Sequence, residues 1–433
     1  MTRLIIAIFV CMQLTACGSA TPTPLDQSVA QGDLQSALTR YEELRMTQGP
    51  DIEALGKVAG LLLEQEALYP GSRRNAALGQ LRSSGSASAP ALERLAQRDK
   101  SRAAQARALE ILALRGDSDA RAKLKSFLTD KDPEAVAAAL SSLDPQDDQA
   151  QLVKALSSQH GLVRAAAAQR LGGTEAHPRV RAALVDVARL DPLYTVRSAA
   201  LKSLVHYGSS AKEAFRSGLR DSNASVRLVA IAASAHANDQ ELTALLTGHL
   251  AQQPSTESIE VARALAVHAA GKAQSDAKEY LLNALTSQDR QVRHQAAVAL
   301  QTVATQAKDH ARMAQAMDRE SETDIKVALA TMLVNESQYA PKAKAVLTRV
   351  IETDSVASVH AAAYLAKDEA NPQAATALER MMQSGSVEVR AAAARALARE
   401  ANQPDAARTA LKAPHPRVRI EAAGGILAAL SAS

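Results

Sequence analysis

Three regularly spaced histidines are the side chains of this chain best suited to metal chemistry. His206, His236 and His268 follow one another at intervals of 30 and 32 residues. Imidazole nitrogens lie about 2 Å from a bound zinc ion, whereas neighbouring packed helices lie about 8 to 10 Å apart. If each histidine belongs to its own helical hairpin, the spacing predicts a row along one rim at helix C-termini. It does not predict a preformed metal site.

Lipid attachment is the chemistry indicated by the N-terminus. Arg3 precedes an apolar run at residues 4–12, and Leu-Thr-Ala-Cys follows at residues 14–17. This arrangement is typical of a cleaved targeting segment, and its apolar run is shorter than the roughly 20 residues that a membrane-spanning helix needs. Residues 1–16 resemble a bacterial lipoprotein signal peptide, which implies acylation of Cys17. A secretory signal cut near Ala16 and a short apolar anchor are the alternatives.

The mature chain is predicted to hold no free thiol. The sequence has two cysteines, of which Cys11 leaves with the signal and Cys17 is blocked by lipid. Disulfides and cysteine metal sites are therefore excluded as stabilising devices. No aspartate follows Cys17 directly, which in lipoproteins of Gram-negative bacteria implies transfer to the outer membrane. Residues 17–31 are small and polar with two prolines, so they predict a flexible tether.

Known signatures of catalytic loops are absent from the sequence. Gly271-Lys272 lacks the upstream glycine and the preceding strand of a phosphate-binding loop. No Gly-x-Ser-x-Gly nucleophile elbow occurs either. The sequence therefore predicts neither an enzyme nor a cofactor.

A repeated phrase places most of these residues on one kind of element. An aliphatic residue is followed by arginine, alanines and, seven residues on, leucine or isoleucine. In register, the arginine slot recurs twelve times with a mean spacing of about 31 residues, at positions 74, 102, 136, 164, 197, 227, 260, 293, 326, 360, 390 and 419. Periods of this length are typical of stacked supersecondary units. The chain is thus predicted to be an all-α solenoid of about twelve helical hairpins.

One unit, residues 191–220, illustrates the physical basis of the repeat. Asp191 and Pro192 are residue types that favour a helix start, and the apolar residues from 196 to 205 follow a 3.6-residue period. Gly208 predicts a break, and a second helix is expected from Ala211. An arginine at this fixed place is suited to bond the carbonyls or acidic side chains of the adjacent turn, although four slots hold Val136, Glu260, Lys326 and His360 instead. We therefore assign a structural role to Arg164, Arg197, Arg227, Arg293, Arg390 and Arg419.

The acidic or proline turn, the Val-Arg pair and the alanine-rich helix resemble HEAT repeats, particularly the short type of phycobilin lyases and related bacterial proteins. The resemblance covers about residues 68–433 and implies a right-handed α-solenoid that binds proteins, with second helices lining its concave face. Twelve units at about 10 Å each would form a curved rod of about 120 Å. Residues 32–67 predict one further hairpin, either tetratricopeptide-like or a capping unit. The His-Glu pairs on which iron-binding HEAT hydroxylases depend are absent.

Charge is divided between the two helices of the unit. The ten predicted second helices hold 18 lysines and arginines against 8 acidic residues, whereas the whole chain has a net charge of +4. If these helices line the concave face, their field would steer an anionic partner towards it. The alternative is that these residues are solvated and only cover apolar surface. The predicted partner-binding residues are Lys212, Arg216, Arg312, Lys342, Lys344 and Arg349.

The predicted function is that of a membrane-tethered, monomeric scaffold that binds a protein or an anionic envelope component. The rival is a lyase-like or chaperone-type protein acting on a small molecule or pigment, which would need a convergent polar cluster. Nucleic acid is not the expected partner, because the net charge is small and few aromatic residues are available for base stacking.

Overall fold

The computed structural model describes residues 22–432 except 99, 173–176, 238, 251–253 and 368–370, and every regular element in this part of the chain is helical. The predicted signal peptide and Cys17 lie outside the described residues. The absence of strands among the described residues confirms the all-α prediction.

The α-helices are numbered in chain order. Before the repeats lie α1 (Pro24–Gln31), α2 (Leu34–Gln48) and α3 (Ile52–Ala67). The first six repeat units contain α4 (Ser72–Ser83), α5 (Ala89–Gln97), α6 (Arg102–Leu114), α7 (Ser118–Lys125), α8 (Pro133–Ala139), α9 (Gln149–Ala155), α10 (Gly161–Leu171), α11 (Pro178–Leu190), α12 (Tyr194–Leu204), α13 (Lys212–Gly218), α14 (Ala224–His236) and α15 (Gln240–His249). The remaining units contain α16 (Thr256–His268), α17 (Gly271–Ala284), α18 (Arg290–Leu300), α19 (Ala307–Arg319), α20 (Thr323–Leu333), α21 (Ala340–Val350), α22 (Val356–Leu365), α23 (Pro372–Ser384), α24 (Val387–Arg399), α25 (Pro404–Ala407) and α26 (Pro416–Ala432).

The repeat register is confirmed, since all twelve arginine slots fall in the even-numbered helices from α4 to α26, which we term the first helices. In α12, Val196, Ala200 and Leu204 are fully buried, as the 3.6-residue period predicts. Side-chain oxygens accept backbone N–H groups at the start of several first helices, including those of Asp132, Asn223 and Asp289. Such caps bond N–H groups that the helix itself leaves without partners.

Two details of the illustrative unit differ from the prediction. Helix α12 starts at Tyr194, because Asp191 stays in the turn and accepts the backbone N–H of Leu193 at 2.9 Å. The break is a 3-10 segment, Val205–Ala211, in which Gly208 has φ = +53°. That left-handed conformation favours glycine. The second helix, α13, buries Phe215 completely against the first.

The chain closes on itself, contrary to the predicted open rod. Each first helix packs on the first helices of the units before and after it, from α4 through to α26. Helix α26 then packs on α4, so the series returns to its start. The architecture is a closed ring of twelve units.

Helix α3 completes the last unit of this ring. It packs along α26 in the place that a second helix takes beside the first helix in the other units. On its other side α3 contacts α5, the second helix of the first unit. The segment predicted as a separate hairpin or cap therefore lies at the seam between the two ends of the chain.

Two glycines allow α26 to enter between its neighbours. A Cβ atom on Gly424 would lie 2.1 Å from Gln80 Oε1 on α4, and one on Gly425 would lie 2.9 Å from the backbone oxygen of Arg395 on α24. The Gln80 amide also donates to Glu421 Oε2 at 2.9 Å. The close approach of α26 to both neighbours thus depends on these missing side chains.

Polar contacts also join the two ends of the chain. Arg419 donates to the buried carboxylate of Glu66, with Nη2 and Oε1 2.7 Å apart. Asp405 accepts from Arg45 Nη2 at 2.9 Å and from the hydroxyl of Tyr41 at 3.1 Å. Burial, together with the nearby Asp405 charge, raises the pKa of Tyr41 well above its ordinary value, so its hydroxyl keeps the proton that it donates.

The first helices form the inner layer of the ring. They pack side by side around the whole circuit, whereas successive second helices make sparse lateral contacts in most units. In a two-layered ring, the helices of the inner layer lie closer together, because the inner perimeter is shorter. The alanine-rich stripes permit this spacing, since small side chains let helices approach closely. The expectation that second helices line the concave face was wrong, because in this chain the small residues lie on the first helices.

The predicted tether is shorter than residues 17–31. Thr23 and Asp26 form a capping box at the start of α1, where the Asp26 N–H donates to Thr23 Oγ1 at 3.1 Å. Asp26 also pairs with Lys57 of α3 at 2.6 Å. Residues 24–31 are therefore helical and dock on the body, because the prolines that suggested a tether include one at the first position of a helix.

Candidate functional site

A row of inter-unit ion pairs connects the first helices to the following turns. Arg197 donates from Nε to Asp221 Oδ2 at 2.7 Å and from Nη2 to Oδ1 at 2.8 Å. Its Nη1 donates to the carbonyl oxygen of Asp191 at 2.8 Å, in the turn before its own helix. The same pairing joins Arg102 to Asp130, Arg164 to Asp191, Arg227 to Glu257 and Arg293 to Glu320. We call this row of contacts the arginine relay.

The relay fixes the charge state of its carboxylates. The hydrogen bond from Arg197 holds the pKa of Asp221 below its ordinary value, despite the opposing effect of burial. The backbone N–H of Asn223 also donates to Asp221, at 2.8 Å, and lowers the pKa further. An arginine paired in this bidentate way is fully engaged within the scaffold.

The relay continues across the seam. It is interrupted where the slot holds no arginine, at Val136, Glu260, Lys326 and His360, and again at Arg390. Glu66 receives Arg419 just as the turn acids receive the other arginines, so the ring closes with the chemistry that joins ordinary neighbours. Arg390 differs: its Nε is buried without a hydrogen-bond partner. The following turn reads Ala-Pro-His at residues 413–415 and offers no carboxylate.

The predicted partner-binding residues lie on the second helices α13, α19 and α21, and most have acidic partners there. Lys212 and Arg216 both pair with Glu241. The other described pairs join Arg312 to Glu279, at 2.8 Å, and Lys342 to Asp318, at 2.6 Å. Because these helices form the outer layer, the six residues do not converge on the concave face.

A surface groove also lies on the second-helix side. It encloses about 880 Å³ between α11, α13 and α15 and contains Arg189, Arg216 and Arg220. Glu213 and Glu241 lie in the same groove, and both pair with Arg216. The groove is therefore of mixed charge.

Large apolar side chains point away from the core along the first helices. Their other sides pack on neighbouring first helices and on second helices, so the exposed side faces the interior of the ring. Leu114, Leu162, Tyr194, Leu228 and Val298 are 58%, 57%, 47%, 41% and 44% exposed. We call these five residues the inner apolar set. Sequence reasoning missed them, although each lies outside the buried stripe of its helix.

The histidine row is only partly as predicted. His206 is exposed and lies in the 3-10 segment after α12. His236 and His268 end α14 and α16, and their Nδ1 atoms lie 3.4 Å apart. The expectation that separate units keep these imidazoles well apart was wrong for this pair, because both side chains reach into the gap between the helix ends. No group of three or more potential metal ligands occurs among the described residues.

Comparison with known families identifies the repeat. Residues 88–169 and 149–235 match the family described as HEAT repeats. The chain contains HEAT repeats. Four of the arginine-relay positions, from Arg102 to Arg227, lie inside the matched segment, so the relay is built into its HEAT units.

Solved structures with similarity to this HEAT-repeat protein include YibA of Escherichia coli and importin beta. YibA is 17% identical, with 67% of this chain and 96% of YibA covered, at a TM-score of 0.32. Importin beta is 15% identical, with 81% of this chain and 55% of importin beta covered, at a TM-score of 0.36. No curated protein matches the sequence. None of the described helices is both long enough and apolar enough to cross a bilayer.

Proposed function

We propose that this HEAT-repeat ring is a lipid-anchored scaffold of the bacterial cell envelope that holds a protein partner against its inner, first-helix face. The inner apolar set carries the proposal. Three of its large apolar side chains, Leu162, Tyr194 and Leu228, lie on the consecutive first helices α10, α12 and α14 and are each at least 41% exposed, and apolar residues exposed on neighbouring elements are the kind of surface that interaction sites use.

The inner face suits a partner that presents an apolar segment. Twelve first helices spaced by about 8 to 10 Å have a perimeter of roughly 100 to 120 Å, and a circle of that perimeter is about 30 to 40 Å across. After allowance for the helices themselves, a partner helix about 10 to 12 Å in diameter fits within the opening. A partner that binds there buries Leu162 and Leu228, at about 25 cal/mol per Å² of apolar surface.

The anchor positions the ring at the membrane. Cys17 lies outside the described residues and precedes the first helical residue, Pro24, by seven positions. Seven extended residues span at most about 25 Å. Because α1 packs on α3, the short connection leads to the seam. The residues after Cys17 favour the outer membrane as the location of the anchor.

Site-specific photocrosslinking in intact envelopes tests the partner surface. A crosslinking amino acid at Leu228 should capture one defined protein, whereas the same group at Lys344 on the outer layer should not. Leu162→Gln together with Leu228→Gln should reduce capture of the partner about tenfold. The fold should be preserved, since these exposed positions contribute little to folding.

The matched control reverses charge at Lys342, Lys344 and Arg349, which the sequence predicted to bind the partner. We expect this triple glutamate variant to capture the partner at wild-type strength. If the control loses capture while the leucine double variant retains it in full, the binding surface lies on the outer layer and the proposal is wrong.

Fractionation tests the anchor independently of the partner. Cys17→Ser should move the protein from the membrane pellet to the soluble fraction, while Cys11→Ser should leave it in the pellet. Detergent-phase partitioning that does not change in Cys17→Ser would refute lipid anchoring.

A further inference from the structure

Two imidazoles from adjacent units converge in an arrangement that the relay does not use. His236 and His268 are the last residues of α14 and α16, and both are exposed. Their Nδ1 atoms are 3.4 Å apart, while their ring centroids are 5.0 Å apart and the rings are inclined at 81°. The two nitrogens are therefore the parts of the rings that lean towards each other.

This separation is close to that of two ligands on one metal ion. Zinc binds histidine nitrogens at about 2.0 to 2.1 Å in tetrahedral geometry, which places two such nitrogens about 3.3 Å apart. We propose that His236 and His268 together bind one divalent transition-metal ion of the zinc class through their Nδ1 atoms. The site lies at the inner edge of the ring and links its sixth and seventh units.

A hydrogen bond between the rings explains the arrangement less well. A neutral imidazole has one N–H, so only one tautomer of one partner can donate across the gap. At 3.4 Å the contact is longer than the 2.7 to 3.2 Å range of N–H hydrogen bonds. Metal binding uses the lone pairs of both nitrogens and needs both rings neutral.

The coordination shell that the chain supplies is open. Among the residues described, no third histidine, cysteine or carboxylate lies close enough to complete a cluster. Two positions of a tetrahedral ion are thus left for water or for a ligand from another molecule, as in zinc sites that keep an exchangeable position.

Calorimetric titration of the full lipidated protein, stripped with a chelator and held in detergent, tests the site with zinc chloride alone. One equivalent of zinc should bind, and His236→Ala or His268→Ala should each weaken that binding at least tenfold. The double variant should be no weaker than either single variant, since both ligands act on one ion. His360→Ala, which removes an exposed histidine from another first helix, is the matched control and should leave binding unchanged.

A thermal measurement separates loss of the site from loss of the fold. Zinc should raise the melting temperature of the wild type and of His360→Ala, but not that of His268→Gln, with equal helical circular dichroism in all three. Wild-type zinc affinity in either alanine variant, or an equal thermal shift in His268→Gln, would overturn the proposal.

Discussion

A disulfide across the seam provides a direct test of ring closure. An ideal Cβ on Gly56 of α3 lies 3.7 Å from Leu430 Cγ and 2.2 Å from its Cδ1. Leu430→Cys removes the Cδ atoms and places sulfur near the former Cγ, within reach of Gly56→Cys. With Cys17→Ser, the chain after residue 16 has no other thiol. We therefore expect a disulfide to form on mild oxidation.

The expected stabilisation follows from the length of the closed loop. Positions 56 and 430 enclose about 375 residues, for which loop-closure entropy gives an upper limit of about 6 kcal/mol. Native-state strain reduces what engineered disulfides deliver, so about half of that limit is realistic. Calorimetry with and without dithiothreitol measures the gain, and faster migration on non-reducing gels shows the closed loop.

A second pair within the array is the control for this test. An ideal Cβ on Gly60 lies 3.3 Å from Ala91 Cβ on the neighbouring helix α5, and this pair encloses about 32 residues. Its upper limit is about 3.7 kcal/mol, so, with about half of each limit delivered, the seam disulfide should stabilise by about 1 kcal/mol more. In an open rod of twelve units, positions 56 and 430 would be near opposite ends. Oxidation of the control pair without oxidation of the seam pair would refute the closed ring.

Three further predictions concern the scaffold. Arg197→Ala should lower the free energy of unfolding in denaturant by about 2 to 3 kcal/mol, since it leaves the Asp221 carboxylate without its partner. Arg390→Ala should lower it by less than about 1 kcal/mol, because the Nε of Arg390 has no partner to lose. Equal losses in the two variants would contradict the relay. Folding lowers the pKa of Asp221, so its contribution to stability is fully present above its unfolded pKa of about 3.9 and is lost as the pH falls through the folded value. Asp221→Asn should therefore make stability depend less on pH below about pH 4. An acid-unfolding curve that does not change in this variant would count against the assignment. Gly425→Ala should destabilise the protein by about 1 to 3 kcal/mol, because the new Cβ would lie 2.9 Å from a backbone oxygen of α24. Gly79→Ala, whose Cβ would have no atom within 4 Å, should stabilise it by up to about 1 kcal/mol. Unfolding midpoints that shift in the same direction in both variants would refute the packing argument.

The units themselves could be predicted because their determinants are local. The Val-Arg pair, the alanine stripe and a capping residue such as Asn223 all act within one hairpin. The role of Arg197 could also be predicted, since the relay joins residues about 30 positions apart, whereas the place of Asp191 in the turn was not predicted.

Closure could not be predicted from any single unit. A ring forms only when twelve small rotations add up to a full turn, and no residue specifies that sum. The acidic Glu66 before the first unit is the one local signal, because it occupies the place of a turn acid for Arg419. The inner apolar set was missed for a related reason. Leu228 is recognisable as exposed, but which side of the ring it faces depends on the curvature.

Closure also sets an order of assembly. Most units can form as soon as their neighbours exist, because their contacts span about 30 residues, whereas Arg419 and Glu66 are 353 residues apart. Bringing such distant segments together costs about 2 kcal/mol more in chain entropy than joining neighbours. The surface of α3 around Gly56 therefore stays uncovered during synthesis until α26, the helix that packs on it, has been made. The N-terminal helices are therefore made first but complete their packing last. A chaperone that binds the unfinished chain would contact the uncovered surface of α3.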